Sequence, residues 1–296
     1  MSEATTQIAL QPCKLLYVSE TQQSQVAHLQ TLASQHQLSL CLSAELIKDK
    51  LNQKRRQQLS LDYGQAVLLL DDKNQLSLLS AGLSVAPEWD KMQRRVVSAG
   101  RKSELLLQAA KITADSVVID ATAGFGHDSL ILASSGAQVT MLEQQPVMTL
   151  LLLNEQRRMN LQPNWQKLMS RLHIINIDAL RYFTNKQNTK NKNIDHKSVD
   201  MIYLDPMFPE DSYQDSKTGR GAKVGKQMQA LHQIAHPPTL IEEQQLLQSA
   251  QDLISCNAQQ QGRVIVKRPQ QAPFFAQQSP DESWHNAAVR FDGYFI

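Results

Sequence analysis

Four acidic residues, Asp120, Glu143, Asp178 and Asp205, each close a short apolar run, and the last opens the segment Asp205-Pro206-Met207-Phe208-Pro209. An ionised carboxylate only accepts hydrogen bonds. Asp205 and a neighbouring carbonyl are therefore suited to accept both hydrogens of a base amine. That contact aims the nitrogen lone pair at an electrophile, which is catalysis by positioning. Pro206 stiffens the loop and removes a backbone donor. Phe208 offers a flat face on which a flipped base stacks. Asp205, Pro206 and Phe208 form the candidate catalytic set.

The first acidic residue opens a second motif, Val117 to Ser129 (VVIDATAGFGHDS). An apolar run ends at Asp120, a small-residue loop follows, and a helix begins. Gly124 and Gly126 permit a tight turn and close approach of backbone to a ligand. A dinucleotide site wants a third glycine where Ser129 stands, and a P-loop wants Gly-Lys-Ser/Thr; neither is present. An acidic strand end with Gly-x-Gly suits a cofactor with a cationic amino-acid moiety and no phosphate, as in S-adenosylmethionine. Gly-x-Gly alone also describes an ordinary strand-to-helix turn. Glu143, at the next strand end, is placed to accept the ribose hydroxyls of an adenosine. Asp178, after the third strand, is placed to meet an adenine amine, although aspartate also caps helices routinely.

These residues need a scaffold that brings strand ends together. Val117–Ile119, Val139–Leu142, His173–Ile177, Val199–Leu204 and Arg263–Val266 read as strands. Ser129–Ser135, Pro146–Met159 and Ile241–Ile254 read as the intervening helices, with Gly136 ending the first of these. Alternating strands and helices predict an α/β, doubly wound, Rossmann-like sheet with ligands at the carboxyl ends of its strands. Residues 1–95 read as a small N-terminal α/β domain: a strand over Lys14–Ser19, a helix over Ser24–Gln37, and a hairpin of Ala66–Leu70 and Leu76–Leu79 around a polar turn. Residues 96–296 form the larger domain. The segment Arg94–Lys111 at the junction has a basic start (Arg94, Arg95, Arg101, Lys102) and leads into a helix over Leu105–Ala110. Asn185–Ser198 and Glu210–Gln227 read as polar loops.

Composition narrows the classes. The net charge of +2 gives no global field for a polyanion, so nucleic-acid contact requires local clusters of Lys and Arg. Cys13, Cys41 and Cys256 form no Cys-x-x-Cys pair, which predicts reduced thiols rather than zinc or disulfides. No apolar run is long enough to span a membrane, and Met1–Leu10 lacks the features of a signal peptide. A cytoplasmic protein is expected. His232 and His236 have helical metal-ligand spacing but no third ligand at motif distance, so no metal is expected.

The motifs DATAGFGHDS, MLEQQP, YLDPMFP and the Val264-Ile-Val-Lys-Arg-Pro269 strand resemble the class I methyltransferases acting on base amines, and within them the bacterial RsmJ-type guanine-N2 methyltransferases of 16S rRNA. The resemblance runs from about residue 100 to 273, and more faintly through the N-terminal region. It implies S-adenosylmethionine as cofactor, guanine N2 as methyl acceptor, and small-subunit rRNA or a ribosomal particle as partner. It carries cofactor contacts onto His127, Asp128, Glu143, Gln144, Asp178, Ala179 and Asp205, beside Asp120, Gly124 and Gly126 from the loop. The family more often has Arg at the position of His127, Arg or Lys at that of Gln144, and a shorter, more basic loop after the Pro-Met-Phe-Pro segment. Lys223, Lys226, Lys267 and Arg268 flank the proposed pocket and are the expected phosphate contacts. Adenine N6 as acceptor, a dinucleotide-dependent oxidoreductase and a non-catalytic RNA-binding module remain the competing readings.

Overall fold

The structure, a computed structural model, describes residues 10–48, 51–63, 66–80, 83–100, 102–190, 198–208, 235–255 and 261–296. The N-terminal part runs β1 (Gln11–Tyr17), α1 (Gln23–Gln35), β2 (Leu40–Leu46), α2 (Gln53–Asp62), β3 (Ala66–Leu70), β4 (Leu76–Ser80) and β5 (Leu83–Val85). Its sheet has the order β2-β1-β3-β4-β5, with β1 parallel to β2 and β3, and the rest antiparallel. The β3–β4 turn forms because Asp71 Oδ1 accepts the N–H groups of Lys73 and Gln75, both at 2.9 Å, while Asn74 takes a left-handed φ of 58°. α1 covers one face of the sheet, and α2 covers the other over Leu16, Leu59, Val67 and Leu69.

A connecting segment carries α3 (Gln93–Ser98) and α4 (Leu105–Ala110). The larger part then runs β6 (Val117–Asp120), α5 (His127–Ser134), β7 (Gln138–Glu143), α6 (Pro146–Asn160), α7 (Pro163–Met169), β8 (Leu172–Asn176), α8 (Ala179–Lys190), β9 (Met201–Leu204), α9 (Leu240–Ser255), β10 (Arg263–Pro269), β11 (Glu282–His285) and β12 (Val289–Phe295). The sheet order is β11-β12-β10-β9-β6-β7-β8. The stretch from β10 to β8 is parallel, and β12 and β11 add an antiparallel edge. From β6 the chain winds outward through β7 and β8, then crosses to β9 on the other side. The sheet therefore has its topological switch point between β6 and β9, where doubly wound folds bind ligands. α5, α6 and α7 cover one face, and α8 and α9 cover the other around Phe183, Leu247 and Leu253.

One hydrophobic cluster runs from Cys13 and Leu15 in the first sheet to Leu130 and Ile174 behind the second. The buried Trp89 sits at the junction. Its backbone N–H donates to Glu155 Oε1 at 2.9 Å, and its indole Nε1–H donates to Phe125 O at 2.7 Å. The N-terminal part thus grips the loop after β6 through a ring in the shared core.

Several expectations change. α8 continues to Lys190, so the first part of the 185–198 stretch is helical. Its polar residues form an outer face, and buried Phe183 anchors the inner one. β8 stops at Asn176, which makes Asp178 a helix cap rather than a strand end: its Oδ1 accepts the Arg181 N–H at 2.9 Å. α5 starts at His127, two residues before the position expected from the sequence.

Candidate active site

The carboxyl ends of β6, β7 and β9 and the start of α8 line a cleft of about 700 Å³. Its floor is the loop Ala121–Phe125. Asp120, 1% exposed, braces that loop by accepting hydrogen bonds from the Ser129 hydroxyl and the Thr122 N–H. Burial pushes its carboxyl up to about 7, against those two hydrogen bonds. Gly124 and Gly126 have φ of 54° and 76°, where side-chain-bearing residues are strained. Their surroundings differ. A Cβ on Gly124 meets nothing nearer than Thr122 O at 3.9 Å, whereas one on Gly126 lies 2.8 Å from both Met141 Cε and Trp89 Cζ2. Gly124 leaves room for a ligand. Gly126 packs inward and is absent from the cleft wall, which corrects its expected cofactor contact.

Glu143 points back at this loop. Its Oε2 accepts the Gly124 N–H at 3.1 Å and its Oε1 accepts the Gln145 N–H at 2.7 Å. Burial pushes this carboxyl up to about 7, and the backbone hydrogen bonds pull the other way. Each oxygen keeps a second acceptor site. Gln144, Asp178 and Ala179 continue the wall. His127 lines it too, with its Nε2–H donating to Pro87 O at 2.6 Å and its ring stacked on Phe125.

At the switch point four side chains form one network. Lys267 Nζ donates to Asp128 Oδ2 at 2.7 Å and to Asp205 Oδ2 at 2.8 Å. Tyr203 Oη donates to Asp128 Oδ2 at 2.7 Å. The Asp205 N–H donates to Thr122 Oγ1 at 2.6 Å, tying the end of β9 to the loop after β6. The parallel register pairs Leu204 with Val266, so Asp205 and Lys267 leave adjacent strands side by side. Burial opposes ionisation of Asp128, but the Lys267 charge and the Lys267 and Tyr203 hydrogen bonds outweigh it and hold the carboxyl below its usual range. Asp205 goes the other way. Burial and the nearby Asp128 raise it despite Lys267.

Two expected RNA contacts are therefore corrected. Lys267 is engaged by two carboxylates inside the site. Arg268 is 6% exposed: it pairs with Glu243 at 3.1 Å, donates to Pro273 O at 3.0 Å, and lies 4.6 Å from the ring centre of Phe208 and 5.5 Å from that of Phe275. Its guanidinium covers one face of Phe208, which is 5% exposed at the cleft wall. The alternation of β10 explains the contrast, since successive side chains face opposite sides of the sheet. Lys223, Lys226 and His232 lie outside the described residues, and His236 lies on the cleft wall. Among the described residues no three metal-ligating side chains gather, and no helix is long and apolar enough to cross a membrane.

Sequence reasoning missed Tyr203, Thr122 and Arg95, all on the cleft wall. Tyr203 was findable: it stands two residues before Asp205 on a strand and so shares its face.

Comparison with known proteins gives a consistent result. The family model "Putative SAM-dependent methyltransferase" matches residues 45–296. Over 284 residues the chain is 73% identical to Ribosomal RNA small subunit methyltransferase J of Psychrobacter cryohalolentis, covering 96% of each chain. It is 34% identical over 287 residues to the protein of that name from Acinetobacter baylyi, covering 97% of this chain and 98% of the other. The crystal structure of a SAM-dependent methyltransferase from Neisseria gonorrhoeae superposes with a TM-score of 0.61 at 25% identity, covering 95% of each chain.

Proposed function

The chain belongs to the ribosomal RNA small subunit methyltransferase J family of S-adenosylmethionine-dependent methyltransferases, and from that premise we propose that it methylates the exocyclic N2 amine of a guanine in small-subunit rRNA. The observation that carries the reading is Asp205. Its Oδ2 is held by Lys267, its Oδ1 has no hydrogen-bond partner among the described residues, and Asp205 and Phe208 both line the cleft.

The cleft fits S-adenosylmethionine. Gly124 leaves backbone open to close approach, and the acids Asp128, Glu143 and Asp178 line the cavity, a lining suited to a cationic ligand with hydroxyl and amine donors. A pyrophosphate would meet these carboxylates, and Arg95 and Lys267, the Arg and Lys of the wall among the described residues, are already paired with acids. Glu143 would hold the ribose hydroxyls, Asp178 and Ala179 the adenine side, and Asp128 with the Gly124 loop the amino-acid end. His127 and Gln144 complete the wall. When bound, the cofactor supplies an electrophilic methyl carbon on a positively charged sulfur.

The guanine N2 amine is a weak nucleophile because its lone pair is delocalised into the ring. Asp205 Oδ1 would accept one amine hydrogen and fix the nitrogen's orientation. The same oxygen would accept the proton that the amine gives up on methylation. Alignment in a water-poor cleft supplies most of the acceleration. Pro206 holds the turn, and Phe208, 5% exposed beneath Arg268, would bound the base end of the cleft as a buried wall rather than offer the open stacking face expected from the sequence. Lys223 and Lys226 would contribute sequence-independent phosphate contacts. The substrate is free rRNA or a ribosomal particle in the cytoplasm.

The cofactor arm is tested by calorimetry. Wild-type protein is expected to bind S-adenosylmethionine and not NAD. Glu143→Ala is expected to weaken binding by about 1–2 kcal/mol or more, because two ribose hydroxyls lose their acceptor. Unchanged affinity in a folded variant rejects the ribose role.

A further inference from the structure

Lys267 sits where no RNA phosphate is needed to explain it. It reaches from β10 across the switch point and joins the acid that opens α5 to the acid that ends β9. Asp128 belongs to the proposed cofactor wall and Asp205 to the proposed acceptor site. The groups facing this network are Asp120 from β6, Tyr203 from β9, Asp128 from α5 and Arg95 from α3, which itself pairs with Glu104. Acids outnumber free cations there, and Lys267 is the one cation in direct contact with Asp205 among the described residues.

We propose that Lys267 is a positioning residue for methyl transfer: its ammonium keeps Asp205 ionised and fixes Oδ2, so that Oδ1 faces the amine as a hydrogen-bond acceptor. The proposal rests on the methyltransferase reading above. A protonated Asp205 is a donor at the wrong place. It would compete with the amine hydrogens and could take no proton as the new bond forms. Without Lys267, burial and the charge on Asp128 both favour that protonated form. The bridge also links the two halves of the site, because any ligand that shifts Asp128 changes how strongly Lys267 holds Asp205.

The network makes paired forecasts of opposite sign. Lys267→Met removes the cation and is expected to move the Asp205 titration to higher pH by a unit or more. Lys267→Arg restores a cation and returns most of that shift. Asp128→Asn removes the competing acid, leaves Lys267 to Asp205 alone, and is expected to move the titration to lower pH. Aspartate-13C spectra of the protein without cofactor or RNA read these shifts directly, with the Asp205 signal identified by its loss in Asp205→Asn. With cofactor and rRNA present, Lys267→Met is expected to slow single turnover at neutral pH by on the order of a hundredfold. The acidic limb of its rate profile should move toward higher pH, with Lys267→Arg between the two. Should Lys267→Met not fold, Lys267→Gln, which also removes the charge, carries the decision, with Lys267→Arg as its rescue. An Asp205 titration that stays put in the folded variants overturns the proposal. So does a slow Lys267→Met with the wild-type pH profile and no rescue by arginine. Wild-type protein that transfers no methyl to rRNA counts against the functional reading instead, since the titration is measured without either substrate.

Discussion

Asp205→Ala is expected to abolish methyl transfer while the fold persists. The carboxylate is 26% exposed and stands just past the end of β9, so its removal opens no cavity in the apolar core. Its backbone N–H bond to Thr122 survives the substitution, and Lys267 keeps Asp128 as partner. What disappears is the acceptor for the amine hydrogen. Misplacement of the nucleophile by about 1 Å costs on the order of a hundredfold, and loss of a proton acceptor typically costs a further factor of about a hundred or more. Single turnover with saturating cofactor and rRNA should therefore fall by roughly ten-thousandfold or more, with the melting temperature within a few degrees of wild type. A variant whose rate falls only as far as its unfolding explains would make Asp205 a structural turn residue.

Arg268→Ala is expected to act through stability rather than through RNA. The guanidinium is buried between Phe208 and Phe275, and its partner Glu243 also accepts the Ala276 N–H at 2.9 Å. Truncation strands a carboxylate that is only 15% exposed, leaves Pro273 O without its donor, and removes the layer over Phe208. Breaking one side of such a pair costs about 3–5 kcal/mol, which for a protein of this size is a fall in melting temperature on the order of 10 °C. The salt dependence of RNA binding should keep its slope. The opposite pattern, an unchanged melting temperature and a log–log slope reduced by about one, would return Arg268 to the phosphate contacts.

The parallel sheet and the order of acids along it were legible because buried parallel strands are continuous apolar runs, and each ends at a residue whose chemistry stands out. Asp120, Glu143 and Asp205 are of this kind. The edges were less legible. β2 buries only one of its seven residues, and β11 and β12 form an antiparallel pair without a strong apolar run, so period alone did not separate them from loop. Which face of β10 meets the site was not legible either. Lys267 and Arg268 read as equivalent cations, yet strand alternation sends one to the acids of the site and the other under Phe208. Gly124 and Gly126 read as one motif. The location of Trp89, far away in sequence, makes the second a packing residue. Such partners come from tertiary contacts, which spacing in one chain does not encode.

The most direct test is the identity of the methylated nucleoside. Small-subunit rRNA and particles from cells lacking this protein are incubated with it and S-adenosylmethionine, digested to nucleosides and analysed by mass spectrometry, with Asp205→Ala alongside. The expected product is N2-methylguanosine, at one site, made by wild-type protein and absent with the variant. A methyl group on adenine N6, or equal product from Asp205→Ala, would contradict the account.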